Sequence, residues 1–569
     1  MRSMFYNTAN VNVLNVAGFN TSNVTNFNGM FSYNPLITTL DVGGFTTNLV
    51  TDMSAMFYNT VNLNTLDVQN FVTSEVTDMK GMFYNTANLN TLNVSGFNTA
   101  KVSDTSYMFF GNLNVNTIDV QNFSTSNVTD MEFMFFNTSN ITTLNVAGFN
   151  TTNVSDMSHM FYGASNVNTI DVGNFDTANV TDMRSMFYKT ENVSVLNVSG
   201  FNTAKVSDMR FMFYDNININ SLNVGNFTTS NVTDMRSMFY NTVNVTALNV
   251  AGFDTSLVTD MASMFSRNSA LTSLNVSNFN TSQVKGMENM FYNTMNVTDL
   301  DVSGFNTSLV TNMDSMFYNS SKVTTLDVSN WNTNLVTDMR FLFYEVSNVT
   351  TLDVSNFTTN LVTDMESTFY GVRNVTALDL SSFDTSSVVN MHFMFSFANA
   401  LTSLDLSNFN TSLVTDMSLM FQATSNLNGI NMTGWDTLPQ PLNSNWLSGS
   451  NATNNIFCNN PDGGGTGADG TGTVNNVPCK GLGDDTDNDG ISDFMEIVLG
   501  FDPAIAEADL DGDGVPNAYD FDLTGSGDSD GDGISDELEL IISTTYPRYI
   551  DDFDSDGTPD NVDPDPFFP

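Results

Sequence analysis

The residues with the clearest chemistry lie near the C-terminal end. Asp485, Asp487, Asp489, Asp493 and Glu496 occupy positions 1, 3, 5, 9 and 12 of a twelve-residue loop, with Gly490 at position 6. Short oxygen ligands at this spacing converge on one hard cation. The backbone carbonyl of Ile491 supplies the ligand of position 7, and glycine permits the sharp turn. Asp528, Asp530, Asp532, Ile534, Asp536 and Glu539 repeat the pattern. Two variants carry a proline after position 7. One is Asp509, Asp511, Asp513, Val515, Asn517 and Asp520; the other is Asp552, Asp554, Asp556, Thr558, Asp560 and Asp563. First ligands are 24, 19 and 24 residues apart, so the array is two copies of a 43-residue pair. The expected ligand is Ca2+. Without metal the same stretch reads as a disordered acidic linker, because it has no core of its own.

Other chemistry is sparse. The chain has 569 residues and a net charge of −47, from 15 Lys and Arg against 62 Asp and Glu. That excess argues against nucleic acid and anionic membrane surfaces, and favours cations or basic partners. The two histidines, His159 and His392, stand at different repeat positions nearly nine coils apart. No nucleophile elbow or phosphate loop occurs, so the sequence reads as non-enzymatic. Cys458 and Cys479 would pair in an exported protein and stay free in the cytosol. No apolar run reaches membrane-spanning length.

What must position any site is a repeat. A Met-Phe pair at Met4-Phe5 recurs every 26 residues to Met420-Phe421, with Leu342 and Thr368 replacing two of the methionines. A fixed period of this size means one small unit stacked on copies of itself. Numbered from the Met, the unit reads M-F-Y-N-T-x-N-V-T-x-L-[ND]-V-x-x-F-[ND]-T-x-x-V-T-D-M-x-x. Apolar positions 11 and 13 alternate with polar neighbours, which predicts a strand with one buried face. Positions 21, 24, 1 and 2, such as Val232, Met235, Met238 and Phe239, fall at helical spacing. Thr at 22 and Asp at 23 look like an N-cap and a first-turn carboxylate, and Thr129 to Glu132 completes a capping box. The expected fold is mostly β with short helices: a leucine-rich-repeat-like parallel solenoid of 17 coils over residues 1–437. A cap and Gly-rich linker follow at 438–480, then calcium repeats at 481–569. The chain opens in mid-repeat, so the expectation is that a cap and any export signal lie upstream.

One outward column stands out. Position 12 is Asn or Asp in all 17 units, and Asp301, Asp327, Asp353, Asp379 and Asp405 are five consecutive Asp. Adjacent carboxylates about 5 Å apart repel by about 1 kcal/mol in water. Keeping five in a row suggests a binding face for cations or donors; the alternative is a structural Asx ladder hydrogen-bonded along the stack. Ser and Thr at positions 9, 10, 18 and 19 form further polar columns, which leaves an ice- or surface-binding solenoid as the other functional class.

The repeat V-x-x-L-x-V-x-x-F follows the leucine-rich-repeat rhythm. The fuller signature L-[DN]-V-x-x-F-[ND]-T-x-x-V-T-D-M-x-x-M-F resembles the BspA-like leucine-rich-repeat surface proteins, in the 25–26-residue class also found in mycoplasma lipoproteins. The resemblance covers residues 1 to about 437. It implies a bacterial secreted or cell-surface protein, adhesin-like, monomeric, displaying a protein- or glycan-binding face. The alternating D-x-D-x-D-G and proline-bearing loops resemble thrombospondin type 3 calcium repeats without their cysteines; dockerin-type modules fit the proline-bearing loops less well. Together they imply a binding solenoid on a calcium-stiffened stalk.

Overall fold

The computed structural model describes residues 1–433, with 435, 447–448, 450, 456–457, 472–474, 477–479, 486, 493 and 496–497 beyond them. The chain divides into two compact units, Met1–Thr325 and Leu326–Pro569. The expected boundaries at 437 and 480 lie outside the described residues.

In the first unit every coil lies on the next in parallel, shifted by 26 residues. Strands β1 (Thr39–Leu40) and β2 (Thr65–Leu66) pair Thr39 with Thr65 and Leu40 with Leu66. Strands β3 (Ala247–Leu248) and β4 (Ser273–Leu274) pair in the same register. A second ladder runs at position 23, from the Asn26–Asp52 bridge through Asp78, Asp104 and on to Asn312. In the second unit β5 (Ser403–Asp405), β6 (Gly429–Asn431) and β7 (Ile456–Phe457) form one parallel sheet. Strands β8 (Gly472–Val474) and β9 (Val477–Cys479) form an antiparallel pair. The strands are two or three residues long, shorter than the alternation suggests.

The core follows the repeat. In both units, positions 11, 13, 16, 21, 24, 1 and 2 are buried in coil after coil. Position-2 phenylalanines stack from one coil to the next; Phe57 and Phe83 lie 5.7 Å apart with planes 8° from parallel.

The helical expectation is wrong. Val232, Met235, Met238 and Phe239 are all completely buried, but no helix forms within residues 1–433. Residues at positions 26 and 4 adopt positive φ, as at Phe211 (58°) and Asp215 (57°), which ends any right-handed run. The N–H groups of positions 24, 26, 2 and 4 donate to the following coil: Met209 to Asp234 O, Phe211 to Arg236 O, Phe213 to Met238 O and Asp215 to Tyr240 O. Those of positions 1 and 3 close local turns, Met212 to Met209 O and Tyr214 to Phe211 O. The physical reason is width. A helix is about 10 Å across with its side chains, while the stacked rings here repeat at under 6 Å. The expected capping box dissolves for the same reason. Thr129 donates its amide and hydroxyl to Ser103 O of the preceding coil, and Asp130 accepts from the amide of Glu132.

Position 18 is a second correction. It reads as a surface Thr column, yet all sixteen threonines from Thr21 to Thr411 are buried. In many coils the hydroxyl donates to the position-17 carbonyl of the next coil and accepts from the same residue's amide. Thr203 Oγ1 lies 2.9 Å from Thr228 O, and Thr228 N lies 2.8 Å from Thr203 Oγ1. A hydroxyl can donate and accept at once. Thr203→Val keeps the shape and removes both bonds, so urea unfolding should show a loss of about 1–3 kcal/mol. Substitution of the exposed Asn249 should stay within about 0.5 kcal/mol.

Candidate binding surfaces

The outward column at position 12 is built from local turns. One carboxylate oxygen of Asp301, Asp327 and Asp353 accepts from the amide two residues on, each at 3.1 Å. The serine hydroxyl at that next position adds a bond of 2.6 to 2.7 Å. Asp379 and Asp405 accept from the amides of Ser381 and Ser407, both at 2.9 Å. These bonds run within the coil and not along the stack, so the ladder reading of this column does not hold. Asn93 and Asn197 make the same turn through their amide oxygens. The turn therefore needs an acceptor and not a charge. Asp301 belongs to the first unit, the other four to the second. None of the five forms an ion pair among the described residues. At Asn431 the column is buried, and Ile497 packs against Gly429 in the same strand: a Cβ there would lie 2.9 Å from Ile497 Cγ2.

A richer surface lies at positions 23, 25, 26, 3 and 4, where the turns sit. Position 23 is Asp in nine consecutive coils, Asp52 to Asp260. Each keeps one carboxylate oxygen for an amide two residues on, as in Arg184 N to Asp182 at 2.9 Å and Arg236 N to Asp234 at 2.9 Å. Basic residues at position 25 answer some of the charge. Arg210 lies 3.1 Å from Asp208 and 3.5 Å from Asp234, and Arg236 lies 3.1 Å from both Asp234 and Asp260. Burial holds the carboxyls of Asp78, Asp130, Asp182, Asp208 and Asp260 above the usual range, as it does those of Glu132 and Glu288.

Beside this row runs an aromatic one. Tyr58, Tyr84, Phe110, Phe136, Tyr162, Tyr188, Tyr214 and Tyr240 at position 3 stack face to face, with centroids 4.0 to 4.5 Å apart. Burial raises the Tyr107 and Tyr214 phenols to about 12. Three coils have serine at position 3, and in each the next residue takes over. Tyr33, after Ser32, lies 5.4 Å from Tyr6 and 5.3 Å from Tyr58. Arg267, after Ser266, sits over Tyr240 at 5.6 Å and Tyr292 at 6.0 Å, a guanidinium filling the missing ring's place. Phe397, after Ser396, lies 5.3 Å from Tyr370. The signal was present in the sequence as Phe-Ser-Tyr, Phe-Ser-Arg and Phe-Ser-Phe, but a consensus averages such exceptions away.

The histidines do not build a catalytic centre. His159 stacks on Phe133 at 4.2 Å, and burial lowers its pKa to about 4. His392 Nδ1 lies 2.6 Å from Ser418 Oγ, and that hydroxyl donates to Asp416 at 2.6 Å. The coil step thus assembles Ser, His and Asp, which sequence reasoning missed. The polarity is wrong for a nucleophile, however. The single serine proton goes to the carboxylate, so Nδ1 must donate to Oγ instead of accepting from it.

Of the calcium-loop residues, Asp493 and Glu496 are described and buried. Thr486 donates its amide and hydroxyl to the two oxygens of Asp493, each at 2.6 Å. Asp485, Asp487, Asp489 and Ile491 lie outside the described residues, as do all ligands of the three loops from Asp509 to Asp563 and Cys458. Among the described residues no helix is long and apolar enough to cross a membrane.

The position-23 row sets a pH dependence. The carboxyls that burial raises, Asp78, Asp130, Asp182, Asp208 and Asp260 with Glu132 and Glu288 beside them, titrate higher folded than unfolded, so the native state holds more protons and the stability they add is lost as pH rises through their folded pKa. His159 acts oppositely, because its folded pKa is lowered and protonation below about 6.5 favours the unfolded chain. Below about 6.5 the two effects oppose each other, and His159→Phe removes one of them. Urea unfolding of that variant should therefore show more stability at about pH 5 relative to about pH 7 than the parent chain does.

Comparison with known proteins follows the repeat. A search of curated protein sequences returns no match. Solved structures that resemble the chain include a leucine-rich repeat protein from Bacteroides ovatus, 13% identical, covering 62% of this chain and 78% of that one at a TM-score of 0.30. An internalin from Listeria monocytogenes is 15% identical, with 64% and 85% covered and a TM-score of 0.20. A leucine-rich repeat protein of Leptospira interrogans is 9% identical, with 72% and 92% covered and a TM-score of 0.20. The family described as "Mycoplasma protein of unknown function, DUF285" matches in seven overlapping stretches, 1–90, 62–170, 110–221, 166–249, 215–300, 242–352 and 337–459. With most of its length matched, the chain belongs to that family, as a tandem array of its repeats.

Proposed function

We propose that this chain is a non-enzymatic binding scaffold of the BspA-like kind, displayed on a bacterial surface or secreted, which holds a protein or glycan partner on the strand side of its coils. The observation that carries the reading is the charge at position 12. The turn there is made equally well by Asn, yet Asp327, Asp353, Asp379 and Asp405 are kept as carboxylates in successive coils without a counter-charge. Charge that the fold does not require is available to a partner. The position-10 and position-12 side chains around it sit on parallel backbone in register, so a ligand can be met across several coils at once. Family membership supports this reading, since the resemblance implies surface display. The buried position-18 threonines weigh against an ice-binding face that would need them outside.

The acidic segment after residue 480 completes the proposal as a calcium-stiffened stalk. Its four loops space their oxygens for one hard cation each.

Replacing Asp327, Asp353 and Asp379 together by Asn should preserve the fold and weaken capture of basic partners. The salt dependence of that capture should shrink as well, because exposed charges are screened beyond about 8 Å at physiological ionic strength. Unchanged affinity and salt slope would remove this face from the proposal. For the stalk, calcium added to the chelated full chain should raise the protease resistance of 481–569 and leave the repeats as they were. Asp489→Ala should abolish that protection around the first loop and spare the distant ones.

A further inference from the structure

The chain's own arginines show how the position-23 row takes a cation. Arg210 and Arg236 each lie between the aspartates of two successive coils, at 3.1 to 3.5 Å. Toward the N-terminal side, Lys80 reaches Asp104 at 3.6 Å, and Arg184 reaches Asp182 at 3.3 Å. Between Lys80 and Arg184 position 25 carries no base; it is Ser106, Glu132 and Ser158. Asp130 and Asp156 meet there in the same parallel bridge as their neighbours. Each spends one oxygen on an amide, Glu132 N at 2.9 Å and Ser158 N at 2.8 Å. Neither forms an ion pair among the described residues. Glu132 adds a third carboxylate, held by the Tyr107 hydroxyl at 3.2 Å.

Ser158 is an independent observation at the same place. It is completely buried, and its Oγ has no partner. In the equivalent place Ser54 and Ser106 donate to their own aspartates at 2.5 and 2.6 Å. A polar atom buried unpaired costs about 1–3 kcal/mol, and here it lies next to an aspartate whose amide bond it flanks. Alongside run Tyr107, Phe133 and His159, stacked 4.8 and 4.2 Å apart.

We propose that Asp130, Glu132 and Asp156 form a cradle for the guanidinium of an arginine presented by a protein partner, seated as Arg210 and Arg236 seat theirs. The planar fork spans two carboxylates one coil apart, which the ammonium point charge of lysine does not. This site lies on the turn side of the first unit and is independent of the position-12 face.

The test uses the full chain and a labelled peptide, acetyl-Gly-Gly-Arg-Gly-Gly-amide, read by fluorescence anisotropy against its citrulline counterpart. The arginine peptide should bind on the order of tenfold more tightly than citrulline. Asp130→Asn with Asp156→Asn should remove that preference. The fold should tolerate it, because Asn26, Asn312 and Asn390 occupy the same column. Ser158→Arg should also abolish binding, by seating the chain's own guanidinium, and should raise the melting temperature. Asp327→Asn with Asp353→Asn should leave binding intact. The proposal is overturned if the arginine peptide is not preferred or if either cradle variant binds it unchanged. It is equally overturned if the position-12 pair weakens binding as much as the cradle pair, since net charge would then be the whole attraction.

Discussion

Everything in the first unit hangs on one hydrogen-bond arrangement. Around each Met-Phe pair, alternate amides point to the next coil and the rest fold back on local turns. The amides of positions 24, 26, 1, 2, 3 and 4 find partners in this way in coil after coil, which is the condition any buried backbone must meet. The arrangement demands left-handed residues at positions 26 and 4, and these recur there in many residue types, Ser, Asn, Gly and Phe among them, with φ between 51° and 69°. It also fixes the coil spacing at a value where no helix fits and aromatic rings stack flat.

That spacing explains why identical side chains form continuous columns. A ring at position 3 has another ring directly above it, at 4.0 to 4.5 Å. Loss of one ring leaves a gap that its neighbours feel, and the chain closes it from position 4 with Tyr33, Arg267 or Phe397. The carboxylates at position 23 are held one coil apart by the same register. There repulsion and desolvation accumulate, and three arginines placed at position 25 relieve them locally. The two acidic columns therefore differ in kind. At position 12 the charges are surplus to a local turn. At position 23 they stand in a half-buried row where a cation's presence or absence matters more, because low surroundings screen it less.

The 26-residue period, the buried identity of positions 11, 13, 16, 21, 24, 1 and 2, and the parallel register were legible in the sequence, because stacking a repeat on itself leaves no other way to bury those residues. The position-12 column was legible as exposed for the same reason of alternation. The turn-side structure was not. Apolar spacing of three and four residues suits a helix and a run of turns alike, and only packing at the width of one strand rejects the helix. Thr203 and its fifteen equivalents looked like surface residues because a hydroxyl's partners in the next coil cannot be seen along the chain. The grouping of Ser418, His392 and Asp416, and the pairing of Asp130 with Asp156, arise where residues 26 apart in sequence become neighbours in space. Which residue types recur was written in the sequence; which of their atoms meet was decided only by the stack.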